Sequence, residues 1–394
     1  MPTLNIKRAD GAPDFEEYMR VAELGETTLR LPNNIYAAGS LGRSVSLAQL
    51  VATWAQTSPS RRVRTYLDPH DKAAHKDFVS HLHGLAAAYY AEQVTASDET
   101  TDIRRALLEA AVPRIRAMSV RQFDRVGKGP RAELLFVHGA RRQFHSAAYR
   151  HPPSFAELMD PQSHGNLIVS ARQMNALLVT ILRGFSLSGK DWHRVEELLD
   201  PRDAPLGNLL HEAFRNTAEH AYLDADGKVP SRGLRCIVIA TRRAQPHELE
   251  AHAFLSGAHP HVDEYFTVLR HRASRVGRRL VFILELSVLD TGPGFAATIQ
   301  HASGASDLER VRHCFVDYAS SKPGPNSGLG LGRILRHIGA VNGFVRFRTS
   351  TTEACFTRTP ASSADDPCMP NLVSGLPKAV GTALTVGIPL SVSL

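Results

Sequence analysis

Residues 288–295 read Val-Leu-Asp-Thr-Gly-Pro-Gly-Phe, in which an apolar strand ends at an aspartate and two glycines follow closely. The strand would carry Asp290 to its end, and Gly292 and Gly294 would let a flat ring approach the backbone because they have no side chain. A carboxylate placed there can accept a hydrogen bond from an amino group such as that of adenine. The stretch therefore predicts a purine-binding corner at the end of a strand.

The same string allows a second interpretation. Asp-Thr-Gly after a hydrophobic strand is also typical of one half of an aspartic protease site, where two carboxylates share a proton. That chemistry needs a second such segment or a symmetric dimer, and the chain holds no second copy. Pro293 and Gly294 also depart from the protease pattern, so purine binding is the favoured interpretation.

Upstream, residues 209–222 predict a helix with one buried apolar stripe, because their apolar residues recur with helical spacing. Glu212, Asn216 and His220 are spaced by four and therefore share one polar face. The side-chain oxygen of Asn216 is a hard ligand suited to Mg²⁺, and Glu212 could take a proton from a water molecule. The pattern predicts a hydrolytic magnesium site, although a solvent-facing helix surface would carry the same residues.

Downstream, a glycine-rich loop within residues 320–334 runs into a helix predicted over Gly330–Val341. Backbone amides at a helix start form a cradle for phosphate groups. A dinucleotide-binding motif is excluded because no strand precedes the loop. Residues 184–190 match the spacing of a P-loop, but Asp191 stands where that motif needs Ser or Thr.

Taken in order, these segments resemble the GHKL superfamily, which contains DNA gyrase, heat-shock chaperones, histidine kinases and the MutL mismatch-repair proteins. Glu212 and Asn216 resemble its N-box, and residues 290–294 resemble its first glycine box. Residues 328–332, Gly-Leu-Gly-Leu-Gly, resemble its second glycine box, and residues 381–386 resemble its last element. Four elements in the right order are far more specific than any one of them.

The resemblance covers roughly residues 200–390 and implies an α/β fold. Residues 166–394 would form a Bergerat-type two-layer α/β sandwich that binds ATP with Mg²⁺, and residues 244–278 and 359–379 would be loops inserted in it. A smaller mixed α/β domain of unknown role would precede it over residues 1–160.

The resemblance also implies roles for individual residues. Asn216 would hold the metal, Asp290 would accept the adenine amino group, and Thr382 would assist near the adenine. Glu212 stands where the ATPases and the anti-sigma serine kinases carry their general base. The other residues expected to bind the nucleotide are Gly292, Gly294, Lys322 of the lid, Gly328, Leu329, Gly330, Leu331 and Gly332.

Two parts of the resemblance point to different relatives. The N-box segment 212–222 is most similar to the anti-sigma serine kinases, and the lid segment 315–324 is most similar to histidine kinases. The favoured function is ATP hydrolysis that drives a conformational switch acting on a protein partner. A kinase that phosphorylates a Ser, Thr or His of a partner stays open, as does a nucleotide-gated nucleic-acid-binding module. An ATP-dependent homodimer is expected by analogy alone.

Composition sets wider limits. The 394 residues are 43% apolar and 22% charged, an ordinary globular mixture that excludes disordered, collagen-like and coiled-coil chains. The four cysteines lie far apart, and neither a secretory signal nor an apolar run of membrane-spanning length is visible. A cytoplasmic protein without a membrane partner is therefore expected.

The net charge of +7 is unevenly distributed. Between Arg104 and Arg150, 11 Lys or Arg residues face three Asp or Glu residues. A basic block over residues 104–150 can bind nucleic acid, but such runs are more often a solvated helix face. Nucleic acid is therefore kept as one candidate partner beside a protein.

Overall fold

The chain folds into two β-sheets with helices between and around them. The computed structural model describes residues 2–34, 41–117, 131–138, 170–185, 187–200, 205–220, 232–249, 259–298, 305–315, 330–357 and 370–390. One sheet has four parallel strands and the other has five antiparallel strands. The chain is therefore mixed α/β, as predicted. No helix within the described ranges is long and apolar enough to span a bilayer.

The parallel sheet is built from the first part of the chain, and its strands follow one another in chain order. Parallel neighbours need crossover connections, which the intervening helices supply. The strands are β1 (Thr3–Asn5), β2 (Thr28–Leu31), β3 (Arg62–Thr65) and β4 (Gln93–Thr95). The helices are α1 (Ala12–Glu23), α2 (Arg43–Thr57), α3 (Lys72–Ser80), α4 (Leu82–Tyr90) and α5 (Arg104–Ala117). We call residues 2–117, as far as they are described, the N-terminal unit.

The antiparallel sheet has the strand order β5-β6-β7-β9-β8. Its strands are β5 (Arg131–His138), β6 (Gly233–Ala244), β7 (Val281–Asp290), β8 (Phe344–Thr357) and β9 (Asn371–Pro389). The remaining helices are α6 (Ala171–Arg183), α7 (Gly189–Leu198), α8 (Pro205–His220), α9 (Pro260–Arg275), the short α10 (Phe295–Thr298), α11 (Asp307–Cys314) and α12 (Gly330–Ala340). The central strand β7 thus has a hydrogen-bonded neighbour along both edges.

Both faces of the antiparallel sheet are buried. Along β6, Ile237 and Ile239 pack with α6, α8, α11 and α12, whereas Cys236 and Val238 join the core of the N-terminal unit. A strand buried on both faces has a nearly continuous apolar sequence, and residues 234–240 have that character. The antiparallel sheet therefore has helices on both faces, one layer more than the predicted two-layer sandwich, and α1, α2 and α9 form the additional layer.

The N-terminal unit and the antiparallel sheet are joined by an ion pair and by hydrogen bonds as well as by apolar contacts. Arg348 of β8 makes two hydrogen bonds of 2.9 Å to the carboxylate of Glu16 on α1. Glu285 of β7 pairs with Arg242 and accepts the Gly42 N–H at the start of α2. The positive charges of Arg348 and Arg242 are thus compensated by carboxylates, which limits the cost of their desolvation.

The predicted boundary near residue 160 differs from the observed division. Strand β5 lies before that boundary, yet it pairs along its whole length with β6, with Leu134 opposite Ile237. The antiparallel sheet therefore includes residues from Arg131 onward. The described part of the basic block, residues 104–150, is divided between α5 and β5. Residues 148–165, which sequence composition marks as a linker, lie outside the described residues.

The two segments expected to be inserted loops contain regular structure. Residues 260–275 form helix α9, whose apolar positions Val262, Tyr265 and Leu269 are buried. The second segment overlaps the start of β9, which begins at Asn371 and pairs with the end of β8. A helix and a paired strand therefore occupy parts of the two segments that were expected to be loops.

Candidate functional site

Asp290 ends β7, and the structure places it beside Thr382 of β9, its register partner. Both residues are buried, with 4% and 6% of their surface exposed. The Gly292 N–H donates to Asp290 Oδ1 at 3.0 Å, and the backbone of Thr382 lies close enough to the carboxyl group to lower its pKa. Three of the residues expected to bind adenine therefore meet at one place, which we call the Asp290 corner (Asp290, Gly292 and Thr382).

Glycines make the close approach of β9 to this corner feasible. Gly381 has a φ of +67°, and a Cβ atom there would lie 2.0 Å from the Asp290 carbonyl oxygen. Gly294 has a φ of +84° and lies against Thr349, with an added Cβ 3.1 Å from its Oγ1. Both positions require a residue without a side chain, because positive φ and steric contact act together.

Thr349 of β8 links the turn after β7 to Gly381 of β9. No sequence motif predicted this residue as part of the site. Its hydroxyl accepts the Phe295 N–H at 3.0 Å and donates to the Gly381 carbonyl at 3.1 Å. It also lies 3.2 Å from the Thr382 hydroxyl. A threonine in an alternating strand carries no distinctive sequence signal, so only the packing reveals this role.

Burial raises the pKa of Asp290 to about 7, against the opposing effects of the Gly292 N–H, the Arg235 guanidinium and the backbone of Thr382. Removal from water disfavours the charged form of a carboxyl group, and here that effect is the largest. Near neutral pH the group therefore divides between its two forms. A carboxyl group with a strongly shifted pKa inside a fold is typical of a functional site.

Thr291, between Asp290 and Gly292, is held by β6 and by the N-terminal unit. Its hydroxyl accepts the Leu234 N–H at 2.8 Å, and its own N–H donates to the Leu234 carbonyl at 3.0 Å. The Tyr90 hydroxyl, at the end of α4, lies 2.7 Å from the same threonine oxygen. Tyr90 is separated from Thr291 by 201 residues, so sequence analysis could not connect them.

Helix α8, the predicted N-box helix, lies over the same end of the sheet. Its Phe214 ring lies 5.6 Å from the guanidinium carbon of Arg235, which is the register partner of Asp290 on β6. Glu212 and Asn216 are half-buried, and they lie one turn apart on the same helix. The apolar stripe that seats the helix consists of Leu206, Leu209, Leu210, Ala213 and Phe214.

A cavity of about 310 Å³ opens between α8 and α12. It is lined by Asn208 and Glu212 from α8 and by Arg336 and His337 from α12. Its size is at the lower end of the range for small-molecule sites. Glu212 therefore lies in a cavity beside the helix that begins at the second glycine box.

The second glycine box is described only from Gly330, the first residue of α12. Leu331 is buried among core residues, so its side chain serves packing, and Gly332 is also buried. Lys322, Gly328 and Leu329 lie outside the described residues.

A second polar cluster lies between β8 and the start of α9. Among the described residues, His259, Glu353 and Cys355 could together hold a metal ion, and all three are buried. His259 Nε2 lies 3.0 Å from Glu353 Oε1, and Arg346 lies 2.5 Å from the other carboxylate oxygen. The cation of Arg346 already neutralises the carboxylate and opposes a second cation. The cluster is therefore a hydrogen-bonded ion-pair network of the fold.

Comparisons with known proteins add nothing to this geometry. A scan against protein-family models, a search of curated proteins and a search of solved structures found no match to this chain. The functional argument therefore depends on the described residues and on the sequence motifs that they contain.

Proposed function

We propose that this protein binds Mg-ATP at the Asp290 corner and hydrolyses it, with residues 166–394 forming a Bergerat-type fold of the GHKL superfamily. The observation that carries the proposal is the meeting of Thr382 with Asp290 and Gly292, because the two segments concerned lie far apart in the chain. The position of α8 over the same end of the sheet supports it. Hydrolysis would drive a conformational change that acts on a protein partner.

The Asp290 corner supports adenine as the base. An ionised Asp290 would accept a hydrogen bond from the adenine amino group, and the carbonyl oxygen of guanine would instead meet it as a second acceptor. Thr382 is the register partner of Asp290, and its hydroxyl could bond a ring nitrogen. ATP should therefore bind more tightly than GTP.

The donor set on α8 fits magnesium and a triphosphate. The half-buried carboxamide of Asn216 is a hard oxygen ligand, one helical turn from the carboxylate of Glu212. When bound, Mg²⁺ would neutralise phosphate charge, while the amides of Gly328–Gly332 and the ammonium of Lys322 would contact the phosphates. Glu212 would orient the attacking water and accept its proton.

The first test replaces the proposed base by Glu212→Gln, which keeps the shape of the side chain and removes its charge. We expect ATP to bind within about threefold of the wild-type affinity, and phosphate release to fall ~100-fold or more. Binding is measured by titration, and turnover by release of labelled phosphate from γ-labelled ATP. The matched control is Glu264→Gln, at an exposed glutamate on α9, which should leave both quantities unchanged.

The outcomes of this experiment separate the hypotheses. Wild-type turnover in Glu212→Gln would contradict the assignment of the base. ATP binding without turnover by the wild type would favour phosphate transfer to a partner protein, which the same residues could support. Failure of the wild type to bind ATP would overturn the proposal.

A further inference from the structure

Helix α4 of the N-terminal unit touches the first glycine box directly. The Tyr90 hydroxyl is buried and lies 2.7 Å from Thr291 Oγ1, as described above. The segment that leads into β6 is bonded to the same end of α4, because Arg232 donates to the Tyr90 carbonyl at 2.6 Å. The Gly233 N–H also donates to the Tyr89 hydroxyl at 3.3 Å. The end of α4 is thus hydrogen-bonded to both β6 and the turn after β7.

Helix α2 contacts strand β9 next to Thr382 of the corner. Its Thr53 hydroxyl accepts the Val380 N–H at 3.0 Å, and its Gln49 amide donates to the Val380 carbonyl at 3.1 Å. Thr53 and Gln49 have no exposed surface. Val380 directly precedes Gly381 and Thr382, so both polar groups of this backbone unit are fixed by the N-terminal unit.

These contacts are more specific than the packing of two apolar surfaces. The two segments whose backbone lies at the Asp290 carboxyl group are bonded to different helices of the N-terminal unit. Helix α4 bonds to Thr291, which directly precedes Gly292. Helix α2 bonds to Val380, two residues before Thr382. Hydrogen bonds in a buried setting have directional requirements and a high cost when broken. A shift of α2 or α4 would therefore displace the groups that surround the carboxyl group.

We propose that the N-terminal unit sets the affinity of the adenine site, with Thr53 and Tyr90 as positioning residues that act on Asp290 through the backbone of Val380–Thr382 and Thr291–Gly292. The inference rests on the proposed function, since it concerns the affinity of the same site for ATP. ATP binding would in turn stabilise the contacts that α2 and α4 make with the corner by the same coupling free energy.

The test removes one hydroxyl at a time with Tyr90→Phe and Thr53→Val. We expect the Kd for Mg-ATP to rise about fivefold or more in each, and the preference for ATP over GTP to fall. The Kd for Mg-tripolyphosphate, which has no base, should stay unchanged because these residues act at the adenine corner. Thr53→Ser, which retains the hydroxyl, should restore the affinity for ATP.

The matched control is Tyr265→Phe. Tyr265 is also fully buried, and its hydroxyl makes one hydrogen bond of 2.9 Å, to the Asn342 carbonyl away from the corner. This variant should bind ATP and GTP like the wild type. Equal weakening of ATP and tripolyphosphate, or equal weakening in Tyr265→Phe, would overturn the inference in favour of a purely structural role.

Hydrogen exchange without nucleotide provides a test that does not depend on ATP binding. We expect faster exchange of the Gly292 amide in Tyr90→Phe and of the Thr382 amide in Thr53→Val, with no change in Tyr265→Phe. Unchanged exchange at both amides would reject the positioning roles even if ATP binds. If the wild type binds no ATP but these amides respond, the proposed nucleotide function fails while the structural coupling stands.

Discussion

At the residue scale, Asp290 combines two properties that oppose each other in a folded protein. It lies buried at the end of β7, where an ionised carboxylate loses its hydration, and backbone N–H groups offset only part of that loss. The raised pKa of about 7 is the consequence. Such a residue stabilises the fold poorly at neutral pH and suits a binding role.

The pH dependence follows from the direction of this shift. Because the pKa of Asp290 is higher in the folded state than in the unfolded chain, its protonation favours folding below about pH 4. That contribution is lost as the pH rises through about 7. Asp290→Asn cannot titrate, so we expect it to gain stability relative to the wild type between pH 5 and pH 8, by an amount on the order of 3 kcal/mol.

The measurement is urea unfolding of both proteins at pH 5 and pH 8, combined with ATP titration. The carboxamide introduced by Asp290→Asn keeps an acceptor for the Gly292 N–H, so the variant should stay folded. Its amide group would face the adenine amino group with a donor, so ATP binding should be lost. An identical stability difference at both pH values would show that Asp290 is not the buried titrating group.

At the scale of the element, the pairing of β9 with the end of β7 depends on one glycine. Gly381 combines a φ of +67° with a distance of 2.0 Å from an added Cβ to the Asp290 carbonyl oxygen. A side chain here would have to push β9 away from β7. The corner would then open, because Thr382 is the next residue.

The variants Gly381→Ala and Gly277→Ala separate the cost of the backbone conformation from the cost of the steric contact. Gly277 has a similar φ of +65°, but an added Cβ there meets nothing within 4 Å. We expect Gly277→Ala to lower the free energy of unfolding by about 1 kcal/mol through the backbone conformation alone. Gly381→Ala should cost about 2 kcal/mol more. Equal losses in urea unfolding would contradict the close approach of the two strands.

Element prediction succeeded where one face of a segment is buried. Helix α8 spans Pro205–His220 and α12 spans Gly330–Ala340, close to the predicted ranges, because their apolar residues keep a helical period. Helix α9 was expected to be a loop, although Val262, Tyr265 and Leu269 also have helical spacing. The Arg and His residues that follow them, over Arg270–Arg275, concealed that period.

At the scale of the whole molecule, the N-terminal unit and the antiparallel sheet share one core. Trp54 of α2 and Leu50 belong to the same cluster of buried side chains as Leu289 of β7 and Ala383 of β9. Unfolding of one half alone would expose this shared apolar surface to water, which is unfavourable. The described halves should therefore unfold together.

The two tryptophans of the chain report on this directly. Trp54 lies in α2, and Trp192 lies in α7 on the opposite side of the antiparallel sheet. In the single-tryptophan variants Trp192→Phe and Trp54→Phe, we expect the fluorescence midpoint in urea to coincide with the far-ultraviolet circular dichroism midpoint of the same variant. Trp54→Phe removes a hydrogen bond to the Thr27 carbonyl and should lower both midpoints equally. Two separated transitions in either variant would contradict a shared core.

The sequence by itself determined the local features of this protein: a strand that ends at Asp290, the glycines after it, and helices that carry Glu212 and begin at Gly330. These depend on residue type and short-range spacing, which the sequence states directly. Only the tertiary structure decided that α1 and α2 cover the second face of the antiparallel sheet and that Tyr90 contacts Thr291. An apolar run shows that both faces of a strand are buried, but which element covers each face depends on packing between distant segments.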